Sequence, residues 1–130
     1  MNQGLSKIER LKSRKQIDHL FSKNQSVFSY PFKFIISTAT ADIEVPAKLL
    51  ISVSKRTFKH AVDRNRMKRL IREAYRKNKM PLYTAVTQKD ATILIGLIFV
   101  GKELMNYHQV EIGIQKGLEK LIIFLEAQKE

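Results

Sequence analysis

Residues 61–79 read Ala61-Val62-Asp63-Arg64-Asn65-Arg66-Met67-Lys68-Arg69-Leu70-Ile71-Arg72-Glu73-Ala74-Tyr75-Arg76-Lys77-Asn78-Lys79. At about 100° per residue, Met67, Leu70, Ile71 and Ala74 fall on one arc, which predicts an amphipathic helix from about His60 to Lys79, stopped by Pro81. Asn65, Lys68, Arg69, Arg72 and Arg76 fall on the opposite arc, with Arg64 and Arg66 flanking it. Like charges three and four residues apart repel, each pair by a few tenths of a kcal/mol. A helix that needed only solubility interleaves Glu with its cations. Here Glu73 stands nearly alone, and the spacing suggests that it pairs with Lys77.

Strand patterns lie on both sides. Leu49, Ile51 and Val53 alternate with Lys48, Leu50, Ser52 and Ser54, which predicts a strand over 47–54. The run Ile93 to Val100 is apolar throughout and predicts a strand over 91–100 buried on both faces. Two strands joined by a helix are expected to be parallel neighbours, normally with a right-handed crossover. Further out, Ser13 and Gln16 form a capping-box pattern for a helix to about Lys23, with Asn24 as its stop. Phe28 to Thr38 alternates as one strand, with Tyr30, Phe32, Phe34 and Ile36 on one side and Lys33, Ile35 and Ser37 on the other. Pro31 marks an edge or a strand start. Residues 40–45 read as a polar connection and 82–90 as a loop. Tyr107 to Ala127 reads as a helix with a stripe of Val110, Ile114, Leu118, Leu121, Ile122 and Leu125. The expected architecture is one domain over 1–130, an α-β sandwich of the α+β class with a mixed four-stranded sheet and three helices, and with residues 1–12 flexible.

Charge separates the function classes. The 130 residues hold 24 Lys+Arg against 12 Asp+Glu, a net of +12. Residues 55–79 alone carry eleven cations and two carboxylates, net +9, whereas 80–130 is close to neutral at −1. A block so concentrated implies a face for a polyanion. Between 64 and 76 there are five Arg and one Lys, and a guanidinium grips phosphate oxygens bidentately where an ammonium is a point charge. An anionic lipid surface would need bulky apolar residues that this helix spends on the core. With one exposed Asn among cations, the face suits backbone contact better than reading of base edges. A second surface is suggested by Phe21, Phe32, Ser52, Ser54 and Lys55. Aromatics, hydroxyls and a cation make a single-strand platform, but aromatics at these spacings are equally consistent with core.

Independent catalysis finds little support. Cysteine is absent, which removes thiolate nucleophiles and Cys-based metal sites. His19, His60 and His108 have no ligand spacing, and Asp63 and Glu73 stand apart among cations. The five glycines are scattered and form no phosphate loop; Gly113 and Gly117 are expected to ease helix packing. The N-terminus lacks the apolar segment of a secretory signal, and no run approaches the length of about 20 needed to span a membrane, so a cytoplasmic protein is expected.

Ser54-Lys55-Arg56, Ala61-Val62 and Arg64-Asn65-Arg66-Met67-Lys68-Arg69-Leu70-Ile71-Arg72-Glu73 closely resemble the signature of the bacterial ribonuclease P protein component. Arg10-Leu11-Lys12, Phe21, Phe32 and Ile51-Ser52-Val53-Ser54 extend the resemblance, while residues 80–130 match mainly in element order. The resemblance implies a left-handed crossover at the basic helix. It also implies the protein subunit of a ribonucleoprotein that removes the 5′ leader from precursor tRNA. Its RNA subunit holds the catalytic Mg²⁺ ions, so the protein alone is expected to be inactive and to bind no cofactor of its own. Contacts to the RNA subunit then fall to Lys55, Arg56, Lys59, Arg64, Asn65, Arg66, Lys68, Arg69, Arg72 and Arg76. The leader cleft falls to Ile17, Phe21, Phe32, Ser52, Ser54 and Lys55. Ile17 and Ile35 stand where the family usually has aromatics, which keeps an apolar wall and removes a π-face. Lys59-His60 replaces a common Gly-Asn pair. A ribosomal-type RNA-binding protein and a protein-only nuclease are the alternatives.

Overall fold

A computed structural model describes residues 9–39, 45–89 and 91–127. Helix α1 (Arg14–Ser22) starts as its sequence predicts. The Ser13 hydroxyl accepts from the Gln16 backbone N–H at 3.3 Å, and the Asn24 amide donates to the Leu20 carbonyl at 2.9 Å at the other end. The chain then makes two strands where the alternation suggested one: β1 (Gln25–Ser29) and β2 (Phe32–Thr38), joined at Tyr30-Pro31. Pro31 has no N–H to offer a ladder, so the alternating stretch folds back on itself. The hairpin pairs Phe28 with Lys33 and Ser29 with Phe32. Even-numbered residues therefore point to one face in β2 and to the other in β1.

After β3 (Ala47–Ser52) come α2 (Ala61–Asn78) and then α3 (Met80–Gln88). The second of these corrects the expected loop and raises the helix count among the described residues from three to four. Pro81 ends α2 but sits in the first turn of α3, where a missing N–H costs nothing. Leu82, Tyr83, Ala85 and Val86 give α3 a buried side. Strand β4 (Ile93–Phe99) and helix α4 (Tyr107–Ala127) complete the chain. The sheet order is β1-β2-β4-β3, with β3 and β4 parallel and the other pairs antiparallel. This is the mixed four-stranded sheet of an α+β sandwich.

Strand β4 is covered on both sides, which explains its unbroken apolar sequence. On one face Phe32, Phe34, Leu49, Ile95 and Leu97 meet α2 and α4 in the main core. On the other, Ile35 and Leu94 meet Leu11 and Leu20 beneath α1. Two glycines permit these approaches. A Cβ at Gly96 would come within 2.7 Å of Ile35 Cγ1, and one at Gly117 on α4 would run into the Phe34 ring.

Residues 9–12, expected to be flexible, are held; positions 1–8 lie outside the described residues. Arg10 bridges Leu49 in parallel and the Leu11 N–H donates to the Leu49 carbonyl at 2.8 Å. The preceding Glu9 accepts from Lys79 Nζ at 2.5 Å and from the Tyr83 hydroxyl at 2.8 Å. All three side chains are buried. Desolvation drives the Tyr75 and Tyr83 hydroxyls well above their ordinary pKa, so both remain neutral donors. Lys79 is thus an internal ion-pair partner that ties the N-terminal segment to the α2–α3 junction.

Removing one half of a buried pair leaves the other uncompensated, at a cost of about 3–5 kcal/mol. Glu9→Ala is expected to lower the urea unfolding free energy by about that amount, and Glu9→Leu with Lys79→Met to recover most of it. Gly117→Ala, which overpacks α4 against Phe34, is expected to cost about 1–3 kcal/mol in the same titration.

Candidate nucleic-acid interface

Helix α2 buries Met67, Ile71, Ala74 and Tyr75 and turns Asn65, Arg66 and Arg69 outward. Lys68 and Arg72 are half-buried beside the Arg10 segment; with Arg10 and Lys12 they line a shallow hollow of about 190 Å³ floored by Leu11, Leu49, Leu50 and Ile51. Burial, and then the charge of the neighbouring Arg10, lower the Arg72 pKa. Arg10 and Lys12 are members of this cationic surface that helical periodicity could not supply. They join it through strand pairing from the other end of the chain.

The turn leading into α2 is built from the strand end upward. Ser54 Oγ accepts from the Arg56 N–H at 2.9 Å. Phe58 inserts into the core and stacks on Phe99, with ring centroids 5.9 Å apart. This anchors a short loop from which Lys55, Arg56, Lys59 and His60 project into solvent.

Two cations of the basic block are differently employed. Arg64 turns back, and its Nη1 donates to the Phe58 and Lys59 carbonyls at 2.8 and 3.0 Å. It braces the loop, so its guanidinium is only partly available. Arg76 makes two bonds to Glu73, at 2.7 and 2.8 Å. The Arg76 hydrogen bond holds the Glu73 carboxyl below its usual pKa and raises that of Arg76. Glu73 was expected to pair with Lys77; that ammonium lies 5.5 Å over the Tyr107 ring. The open cationic surface therefore comprises Arg66, Lys68, Arg69 and Arg72, extended by Arg10, Lys12, Lys55, Arg56 and Lys59, with Asn65 among them.

The expected leader-cleft residues separate into two groups. Ile17 and Phe21 lie one helical turn apart on an edge of α1, and Phe21 is 50% exposed. Ser52 is half-buried and pairs with Ile98, which belongs to the α1 side of the sheet. Ser54 and Lys55 are exposed just beyond the strand, although the Ser54 hydroxyl already serves its own turn. Phe32 does not join them. It is fully buried on the opposite face, with edge-to-face contacts to Phe34 and Phe99 at 6.1 and 5.8 Å. Its strand partner Phe99 faces the main core, and parity along the sheet forces Phe32 the same way. Among the described residues no three His, Asp or Glu side chains converge as a metal site, and no helix is long and apolar enough to cross a membrane.

Fold and surface together define a small α+β domain with a one-sided cationic helix. The Ribonuclease P family profile matches residues 5–121. A ribonuclease P protein component of Porphyromonas gingivalis is 36% identical over 118 residues, covering 91% of this chain and 86% of that protein. That of Borrelia duttonii is 30% identical over 119 residues, covering 92% and 93%. Among solved structures, the RNase P protein of Staphylococcus aureus superposes with a TM-score of 0.65 at 24% identity, covering 87% of this chain and 94% of that one. The Thermotoga maritima protein gives 0.60 at 24% identity, covering 94% and 99%. The chain belongs to the ribonuclease P protein component family, whose name places it in tRNA processing.

The differing employment of the arginines is measurable. Arg64→Ala is expected to lower stability by about 1–2 kcal/mol through its two lost carbonyl bonds. Arg69→Ala, on the open face, should stay within about 0.5 kcal/mol of the parent. Paired urea titrations compare the two directly.

Proposed function

We propose that the chain is the protein subunit of a ribonuclease P ribonucleoprotein. In this reading it binds the catalytic RNA through the open cationic surface of α2 and holds the 5′ leader of precursor tRNA against α1 and the adjoining sheet. The observation that carries the reading is the one-sided array of Arg66, Lys68, Arg69 and Arg72. Arg10 adds to it from a separate segment, while Glu73 on α2 is engaged with Arg76. Such an array neutralises closely spaced phosphates and releases their counterions. The protein's contribution to catalysis is positional: it keeps two polyanions together that would otherwise repel. The RNA subunit supplies the hydrolytic chemistry with its Mg²⁺ ions, and the work is cytoplasmic.

Reconstitution tests this function. The purified chain alone is expected not to cleave precursor tRNA, and addition of a cognate RNA subunit to give 5′ maturation at low Mg²⁺. Cleavage by the protein in the absence of RNA subunit would contradict the assignment. So would failure to stimulate any bacterial ribonuclease P RNA, which would favour a ribosomal-type role.

Affinity for the RNA subunit should fall with salt at a log–log slope of about −4 to −5 for about six phosphate contacts. Arg69→Ala should weaken binding and reduce that slope by about one. A salt-independent affinity would refute the electrostatic account.

A further inference from the structure

The sheet face that carries α1 continues beyond the helix onto β1 and the start of β2. Ser26 stands opposite Ile35 there, and Phe28 opposite Lys33. The reversal at Tyr30-Pro31 places Phe28 on the α1 side, whereas Phe32 is buried on the other. The Phe28 ring is 53% exposed and Lys33 is exposed beside it. Directly opposed residues of an antiparallel pair have Cβ atoms about 5 Å apart, so ring and ammonium share one patch.

Three observations give this patch an occupant. First, its charge has one sign. The four strands contain no carboxylate, and their two lysines, Lys33 and Lys48, both point to the α1 side, as their partners Ile98 and Leu94 do. The helix on that face, α1, offers one carboxylate, Asp18, against Arg14 and Lys15. Secondly, the ring is mounted on a fixed backbone. Lys120 Nζ on α4 donates to the Phe28 carbonyl at 2.6 Å, and the neighbouring Ser29 hydroxyl donates to the Gly113 carbonyl at 3.0 Å. Thirdly, the patch continues the surface bearing Ile17, Phe21 and Ser52: Phe28, Lys33, Ile98 and Ser52 pair in one row across the sheet, next to Ile35, which is buried under α1. An exposed aromatic beside a cation, on a strand tied to the helix behind it, is the arrangement that stacks an unpaired base and neutralises its phosphate.

We propose that Phe28, with Lys33, is a stacking position for an unpaired nucleotide of the precursor-tRNA leader, extending the leader surface from α1 onto β1. This rests on the leader-binding reading above. Phe28 supplies a π-face on the same side of the sheet as Ile17 and Ile35. It is reached by a leader long enough to pass α1.

The test uses the reconstituted ribonucleoprotein and precursor tRNAs whose leaders lengthen one nucleotide at a time, with mature tRNA as the control. Phe28→Ala is expected to lose about five- to tenfold in affinity for the longest leaders and nothing for mature tRNA. Phe28→Trp should retain affinity, whereas Phe28→Leu, which keeps apolar bulk without a π-face, should behave as Phe28→Ala. Unchanged urea midpoints for these exposed-site variants separate binding from folding. If Phe28→Ala binds every leader like the parent while Phe21→Ala loses leader affinity, the Phe28 position is wrong and the leader surface on α1 stands. If neither variant discriminates leader-bearing from mature tRNA, the leader reading fails and this proposal with it. Full affinity in Phe28→Leu would overturn stacking.

Discussion

The parallel pairing of β3 with β4 is the constraint on which the rest of the molecule depends. Adjacent antiparallel strands can be closed by a tight turn, but parallel ones require the chain to leave the sheet and travel back along its face. Here α2 and α3 make that journey. The return fixes α2 across the β3 side of the sheet, with Met67, Ile71, Ala74 and Tyr75 pressed into the main core. Once those positions are buried, Asn65, Arg66 and Arg69 have no direction left except outward. The cationic surface is a consequence of topology as much as of composition.

A second consequence concerns the N-terminal segment. Because β3 is an edge strand, its outer side is open, and Arg10 and Leu11 pair with it. This pairing brings Arg10 next to Arg72. The approach of two guanidiniums is unfavourable, and the buried Glu9–Lys79 pair a residue away holds the segment in place against it. A net of +9 over residues 55–79 overstates the open charge of that block, since Lys79 is internal, Arg76 is matched by Glu73 and Arg64 is turned to carbonyls. The segment from the other end of the chain makes up part of the difference.

Most of the architecture was legible in the sequence because it rests on local periodicity. The basic helix, the doubly buried β4, the Ser13 and Asn24 boundaries of α1 and the long α4 all announce themselves in this way. What escaped depends on pairings between distant residues. The Phe28–Thr38 alternation conceals a hairpin, since a reversal at Pro31 changes which face a residue occupies without disturbing the pattern of residue types. That hidden change of parity sent Phe32 to the core and Phe28 to the open face. Likewise Pro81 reads as a stop, and only its fit to the first turn of α3 shows it to be a start as well. The contact between Glu9 and Lys79 spans 70 positions and leaves no local trace. Within the candidate site, the Arg66, Lys68, Arg69 and Arg72 side of the helix followed directly from 3.6-residue spacing. The inward turn of Arg64 was set by carbonyls in a loop whose shape the sequence does not reveal.

In the proposed complex the RNA subunit is held by the α2 face and not by α4, whose exposed side is close to neutral. Because the chain has no cysteine, a single one can carry a tethered hydroxyl-radical source at a chosen place. A source at Asn65→Cys on α2 is expected to cut the bound RNA subunit in a discrete region, while one at Gln115→Cys on α4 leaves it intact. Strong cutting from α4 with none from α2 would contradict the account.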